Sequence, residues 1–172
     1  MRHCGTLPRD PVRTVIMPLE IERKFLLVND GWRLAVARTL KLAQGYLDRS
    51  ERCSVRVRLE GSEARLNIKS RTLGVSRLEY EYPVPVEEAR EMLAQLCGGR
   101  VIEKTRHFVP AGAHTFEIDV FEGENAGLVV AEIELGAPDE SFERPPWLGE
   151  EVSHDIRYYN TSLIDLPYTR WT

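Results

Sequence analysis

Apolar and polar residues alternate with a period of two through most of the chain, the pattern of strands with one covered face. Leu19–Val28, Leu40–Leu47, Cys53–Glu60, Glu63–Ser70, Ser76–Val84, Arg100–Val109, His114–Phe121 and Leu128–Leu135 each read as a strand. A turn around Gly61 is close to hairpin length and joins the third strand to the fourth. Val86–Leu96 breaks the alternation. There Val86, Ala89, Met92, Leu93 and Leu96 recur at helical spacing, Glu87 and Glu88 fill the first turn, and Gly98 stops the run. Asn29–Arg38 predicts a short helix, and the spacing of Val152, Ile156, Tyr159, Leu163 and Leu166 predicts another over Val152–Leu166. Arg71–Val75 and Gly136–Pro146 read as loops. Short linkers favour antiparallel neighbours. The expectation is an α+β domain built on one antiparallel sheet with flanking helices. Met1–Ile16 shows no periodicity, so the domain is expected to span 17–172, with 1–16 a disordered leader or the product of an upstream start.

Sorting each strand into its two faces collects the charge on one of them. Glu20, Glu22 and Lys24 share a face in the first strand, and Arg56 and Arg58 in the third. Arg65, Asn67 and Lys69 follow in the fourth, then Glu79 and Glu81, Lys104 and Arg106, Glu117 and Asp119, and Glu132 and Glu134. A solvated face is the ordinary meaning of such alternation. Here nearly every strand repeats it, and the charges come as like-signed pairs that repel one another on a common face. A sheet of about eight antiparallel strands can close into a barrel. With its apolar face outward under the helices, the charges line the interior. Such a lining is costly unless something binds there. Lys and Arg suit anionic phosphates, and all-carboxylate sites suit Mg²⁺ or Mn²⁺. Phosphoryl transfer needs both. Carboxylates at i and i+2 lie wide for one ion, so Glu20/Glu22 and Glu132/Glu134 would have to be neighbours across strands.

Composition narrows the class. The chain has 172 residues, 29% of them charged, with a net charge of only −4. At 42% hydrophobic it is not a disordered acidic segment. A pI near 5.7 argues against a nucleic-acid binder. No run reaches membrane-spanning length, and the N-terminus lacks the apolar core of a signal peptide. Three cysteines, Cys4, Cys53 and Cys97, form neither a disulfide framework nor a zinc pattern, which fits a reducing cytoplasm. His107 falls opposite Lys104 and Arg106 and reads as a packing residue, His114 as solvated beside a turn. Tyr46 shares a face with Gln44 and is either tunnel-lining or structural.

Glu20-Ile-Glu-Arg-Lys24, followed by Phe-Leu, resembles the ExExK signature of the CYTH domain, the triphosphate tunnel metalloenzymes. The resemblance continues in order through Gln44-Gly-Tyr-Leu47, Arg56-Val-Arg58, Asn67-Ile-Lys69, Glu79-Tyr-Glu81 and Glu103-Lys-Thr-Arg106. It then takes in Glu117-Ile-Asp119, Ala131–Leu135 and Glu151–Tyr158. It implies an eight-stranded antiparallel β-barrel, a tunnel open at both ends, acting on triphosphates with Mg²⁺ or Mn²⁺. Carried over by position, Glu20, Glu22, Glu132, Glu134 and Asp119 would bind metal. Lys24, Arg56, Arg58, Lys69, Lys104 and Arg106 would bind phosphate, with Arg157 of the terminal segment either joining them or pairing with Asp155 on the surface, and Glu20, Glu22 and Lys24 would carry catalysis. Tyr46, Glu79, Glu81, Glu117 and Asp155 form a second tier. The short form of the family implies a cytoplasmic inorganic triphosphatase that makes pyrophosphate and phosphate. Class IV adenylate cyclase, nucleoside or thiamine triphosphatase, and a non-catalytic polyphosphate-binding module are the alternatives. A small anion such as tripolyphosphate or ATP is the expected partner, with a homodimer left open and no nucleic acid or membrane.

Overall fold

The computed structural model describes residues 19–70 and 75–171. The expected leader and most of the Arg71–Val75 loop lie outside them. Among the described residues nine strands follow one another: β1 (Leu19–Leu27), β2 (Arg38–Arg49), β3 (Cys53–Glu60), β4 (Glu63–Ser70), β5 (Ser76–Pro83), β6 (Val101–Ala111), β7 (His114–Phe121), β8 (Val129–Glu134) and β9 (Leu148–Glu151). Helix α1 spans Val86–Gln95 and α2 Asn160–Leu163. The sheet order is β5-β4-β3-β2-β6-β7-β8-β1-β9, and a pairing of β1 with β5 closes the first eight strands into an antiparallel barrel.

The closing seam is short, Leu19↔Leu78 to Ile21↔Ser76. On its other edge β1 pairs with β8, Glu22 opposite Glu134 and Lys24 opposite Glu132. Beyond the seam, β9 continues along β1 from Phe25 to Leu27. The β3–β4 hairpin turns at Gly61, whose φ of 60° lies in the region open to glycine without strain. Gly45 serves closeness instead: a Cβ there would fall 2.6 Å from Cys97 Sγ, so its absence lets the end of α1 lie on β2.

The barrel is turned inside out relative to an ordinary sandwich. Its outer wall carries two apolar clusters. Ile21, Phe25, Phe116, Ile118 and Ile133 pack under Trp32 and Trp147, while Val57 and Ala64 pack under Ala89 and Leu93 of α1. Each fully buried side chain of this size contributes about 1.5–3 kcal/mol. This outer burial supports the fold, which leaves the inner face free for charge. A third cluster lies inside, at one end. Ile102, Phe121 and Val130 share the inward register of Lys104, Asp119 and Glu132, and the fully buried Leu163 of α2 packs with them.

Two expectations need correction. The predicted helix over Asn29–Arg38 is a single 3₁₀ turn, Gly31–Ala35, anchored by buried Trp32. The helix expected over Val152–Leu166 is broken: Tyr159 is extended at φ −77°, ψ 136°, between a 3₁₀ turn at Ile156–Tyr158 and the one-turn α2. The tunnel that the resemblance implies to be open at both ends has this C-terminal segment in the lining of its cavity. Arg49 ties it down by bonding the Thr161 carbonyl at 3.1 Å and Asp165 at 2.6 Å.

Candidate active site

The barrel encloses a cavity of about 1490 Å³, lined by Glu20, Glu22, Lys24, Arg56, Arg58, Lys69, Arg77, Glu79, Arg106, Glu132 and Glu134, among others. Strand alternation places them there. Cross-strand pairing then sets the two carboxylate-bearing strands β1 and β8 side by side as an acidic wall, while β3 gives a basic one.

On the acidic wall most carboxylates are held by resident cations. Lys24 Nζ donates to Glu22 at 2.5 Å and also to Glu132. Lys69 Nζ donates to both oxygens of Glu20, at 2.8 and 2.9 Å, and lies 3.1 Å from Glu79. Arg77 bridges the pair, Nε to Glu20 at 2.7 Å and Nη2 to Glu22 at 2.9 Å. Burial opposes charge on Lys24, yet Glu132 and Glu22 hold its pKa above the ordinary lysine value. Burial likewise opposes the Glu132 carboxylate, but Lys24, Lys104 and Arg106 hold it well below the ordinary range. Glu134 differs. It has no hydrogen-bond or ion-pair partner among the described residues, and burial with Glu20, Glu22 and Glu79 pushes its pKa up. Its repulsion by three acids marks a place that favours a cation.

The floor of the cavity carries a second network. Asp119, 1% exposed, accepts from Lys104 and from Arg106, whose Nε and Nη2 each lie at 2.7 Å. Arg106 also reaches Glu117 and, at 2.8 Å, Glu132. Burial pushes Lys104 down to about 8 despite Asp119, because Asp119 is shared with Arg106 and the Arg106 and Arg58 charges also bear on the lysine. Asp119 itself is held low by Arg106 first and Lys104 second, against the cost of burial.

The basic wall is the exception to this mutual pairing. Arg56 and Arg58 have no carboxylate partner among the described residues, and the buried Arg56 Nε has no hydrogen-bond partner. Arg58 Nε donates only to the neutral Gln44 Oε1, at 3.1 Å. Burial first, then Arg56 and Arg106, pushes Arg58 down to about 10. Two guanidiniums that lack a carboxylate partner in one cavity form a ready anion site.

A model described as "CYTH domain" matches residues 18–165, most of the chain. The chain belongs to the CYTH domain family. It is 46% identical over 154 residues to a protein of Acetivibrio thermocellus named inorganic triphosphatase, covering 88% of this chain and 97% of that one. It is 42% identical over 156 residues to an inorganic triphosphatase of Nitrosomonas europaea, covering 86% and 99%. The crystal structure of the inorganic triphosphatase NE1496 superposes with a TM-score of 0.60 at 37% identity, covering 84% of this chain and 93% of that one.

Against the CYTH pattern, the structure gathers Glu20, Glu22, Lys24, Tyr46, Arg56, Arg58, Lys69, Glu79, Glu81, Arg106, Glu117, Glu132 and Glu134 around one cavity. Lys104 and Asp119 lie just beneath its surface, paired with each other. Arg157 and Asp155 are elsewhere. They bond each other through Arg157 Nη2 at 2.5 Å, with the Arg157 side chain 62% exposed, and neither lines the cavity. That placement is the surface pair, and it removes the alternative tunnel role: the extended Tyr159 turns the segment so that Asn160, Thr161 and Asp165 face the cavity instead. His114 is not simply solvated, since its Nε2 lies 2.8 Å from Glu140 at the mouth. His107 packs on Trp32, ring centroids 5.1 Å apart, on the outer wall. Sequence reasoning missed Arg77, although it shares the register of Glu79 and Glu81; it sits at the start of its strand beside a loop.

Proposed function

We propose that this chain hydrolyses inorganic tripolyphosphate to pyrophosphate and phosphate inside its barrel, with Mg²⁺ or Mn²⁺ as the metal. The observation that carries this reading is the pair Arg56 and Arg58, the first buried and the second half-buried, both without a carboxylate partner among the described residues and facing a wall of carboxylates across one cavity. Two relatives above 40% identity that are named inorganic triphosphatases support it.

The acidic wall fits a hard divalent cation. Its donors are all carboxylate oxygens, and Glu134 stands without a partner among acids that raise its pKa. Glu20, Glu22, Glu132 and Glu134 would hold the ion. Among the described residues no three acids yet converge at ligating distance, because Lys24, Lys69 and Arg77 occupy them. When bound, the metal polarises phosphate oxygens and lowers the pKa of water.

The chain's own residues do the rest. Arg56 and Arg58 bind the polyphosphate through fork-shaped donors. Lys24, Lys69 and Arg77 exchange carboxylate for phosphate oxygens, so that little charge is left unbalanced as substrate enters. The enclosing wall restricts bulk water, which strengthens each of these contacts. Water attacks a terminal phosphorus, the bond to the bridging oxygen breaks, pyrophosphate leaves, and the water's proton passes to Glu20 or Glu22.

The test is phosphate release from tripolyphosphate and from ATP, beside cyclic AMP formation, each with Mg²⁺, with Mn²⁺ and with a chelator. Metal-dependent release of phosphate from tripolyphosphate in preference to ATP is expected. Cyclic AMP as the main product, or tight binding without turnover under every metal, would overturn the proposal.

A further inference from the structure

Among the described residues, every cavity-lining cation except Arg56 and Arg58 has a carboxylate partner. Lys24, Lys69, Arg77 and Arg106 are bound as described, Arg49 to Asp165, and Arg65 to Glu81 at 2.6 Å. The exception is not explained by distance from acids. Asn67 is the cross-strand partner of Arg56, and Glu81 is the next residue along the same row. On the other side Gln44 is the cross-strand partner of Arg58, and the next strand carries Ile102 opposite it, beside Lys104 and its anion Asp119. Each guanidinium is thus flanked by an amide at the position where an acid would neutralise it.

Both amides are fully buried at 0% exposure, and both lie beneath the cavity lining rather than in it. Their orientations follow from chemistry. Gln44 must turn Oε1 to Arg58 Nε, which leaves its Nε2 without a partner. Asn67 must turn Nδ2 to Glu79, at 2.7 Å, and to Glu81, which leaves its Oδ1 unpartnered. A buried unsatisfied amide atom costs about 1–3 kcal/mol, so neither residue is optimal for stability alone. Gln44 fixes the Arg58 fork without cancelling its charge. Asn67 donates to both β5 carboxylates, which form no ion pair with Arg56 although its charge still bears on Glu79.

We infer that Gln44 and Asn67 are positioning residues that keep Arg56 and Arg58 out of direct ion pairs with the tunnel's carboxylates and thereby set its affinity for polyphosphate anions. The inference rests on the proposed tripolyphosphate reading and deepens it: the site's selectivity for anions is written in two neutral side chains that never touch the substrate.

The experiment measures tripolyphosphate binding to the full chain by calorimetry in the presence of a chelator, and separately KM and kcat with metal. Gln44→Glu places an isosteric carboxylate against the Arg58 guanidinium, and Asn67→Asp places one at the cross-strand position of Arg56. Both are expected to weaken chelated-state binding on the order of tenfold or more, the scale of one hydrogen bond to a charged group, and to raise KM more than they lower kcat. Gln44→Met, which frees the fork without neutralising it, is expected to lose less than Gln44→Glu. A double-mutant cycle gives the specific readout: on an Arg58→Met background, Gln44→Glu should have little further effect. Circular dichroism and thermal melts confirm that each variant folds. If wild type binds tripolyphosphate and both acidic variants bind it equally well, or if Gln44→Glu costs as much without Arg58 as with it, the inference is overturned. If wild type itself fails to bind or turn over tripolyphosphate, the proposed function fails instead.

Discussion

Asp119→Asn removes the one anion that Lys104 and Arg106 share, at a site 1% exposed. Breaking a buried pair commonly costs about 3–5 kcal/mol because a charge is left uncompensated. Here the lysine has an escape. Its pKa in the fold is already pushed down to about 8, so at pH 7 it can shed its proton for about 1.4 kcal/mol, the value of one pH unit. Arg106 has no such escape, but it keeps Glu117 and Glu132. What it loses is charge-assisted hydrogen bonding of about 1.5–3 kcal/mol. The expected destabilisation at pH 7 is therefore about 3–4 kcal/mol, or a melting temperature lower by about 6–16 °C. The lysine's share depends on pH. Between about 8 and its ordinary value of 10.5, the unfolded chain holds this proton and the folded chain does not, so wild-type stability rises with pH across that window. In the variant, Lys104 gives up its proton lower still, and by pH 9 it is neutral in both folded proteins. The difference between them should shrink by about 1.4 kcal/mol from pH 7 to pH 9. Urea titrations of both proteins at the two pH values measure it. A deficit that is equal or larger at pH 9 would refute the account of Lys104 as a buried, weakly held cation.

Glu134→Gln should lower metal-dependent turnover by more than the roughly 10–100-fold typical of residues that merely support a metal ligand. The same change should not reduce stability at pH 7: Glu134's raised pKa means that its ionised form is disfavoured by folding, a penalty that appears as pH rises through that pKa and that glutamine lacks. Steady-state kinetics and melting curves on one preparation test both halves. Tripolyphosphate binding under chelation should weaken as pH rises through about 8, where Lys104 loses its charge, and Lys104→Met should flatten that profile in calorimetric titrations. Gly45→Ala should destabilise by about 1–3 kcal/mol, since its methyl would meet Cys97 at 2.6 Å where α1 lies on β2; a melting temperature within a degree of wild type would show that the helix moves away freely.

The barrel was legible because its strands obey period two so strictly that the inner and outer faces separate on paper. Glu20 and Glu22 share an inward face, and the structure sets Glu22 against Glu134. What escaped has a common cause, the weakness of short segments without periodicity. Strand β9 has four residues, Leu-Gly-Glu-Glu, and becomes a strand only because the edge of β1 beyond the seam is open to it. The C-terminal segment has helical spacing, yet its apolar residues serve two different packings. Leu163 enters the inner cluster while Ile156 stays 55% exposed, so no single helix could satisfy both. Arg77 has the right register, but its importance lies in reaching both Glu20 and Glu22, a fact of three dimensions. The pairing of charges was equally unreadable. Counting like-signed pairs predicts opposed walls, but only the geometry reveals that, among the described residues, two arginines alone of the lining cations lack an acid.

The register of β1 against β8 has a consequence for how the protein comes into being. Glu22 and Glu134 face each other across a strand pair whose members are far apart in sequence, with six strands between them, and the β1–β5 seam that completes the ring involves three residue pairs. Pairings between such distant segments are slow to form, because the chain must be brought round before any contact offsets the lost entropy. On the ribosome, β1 emerges first and waits for β8 before its carboxylates acquire their neighbours. Until then the chain holds half of an acidic wall. Turnover is therefore a faithful reporter of ring closure: a nascent or truncated chain that stops short of β8 carries Arg56 and Arg58 but cannot assemble the wall they face.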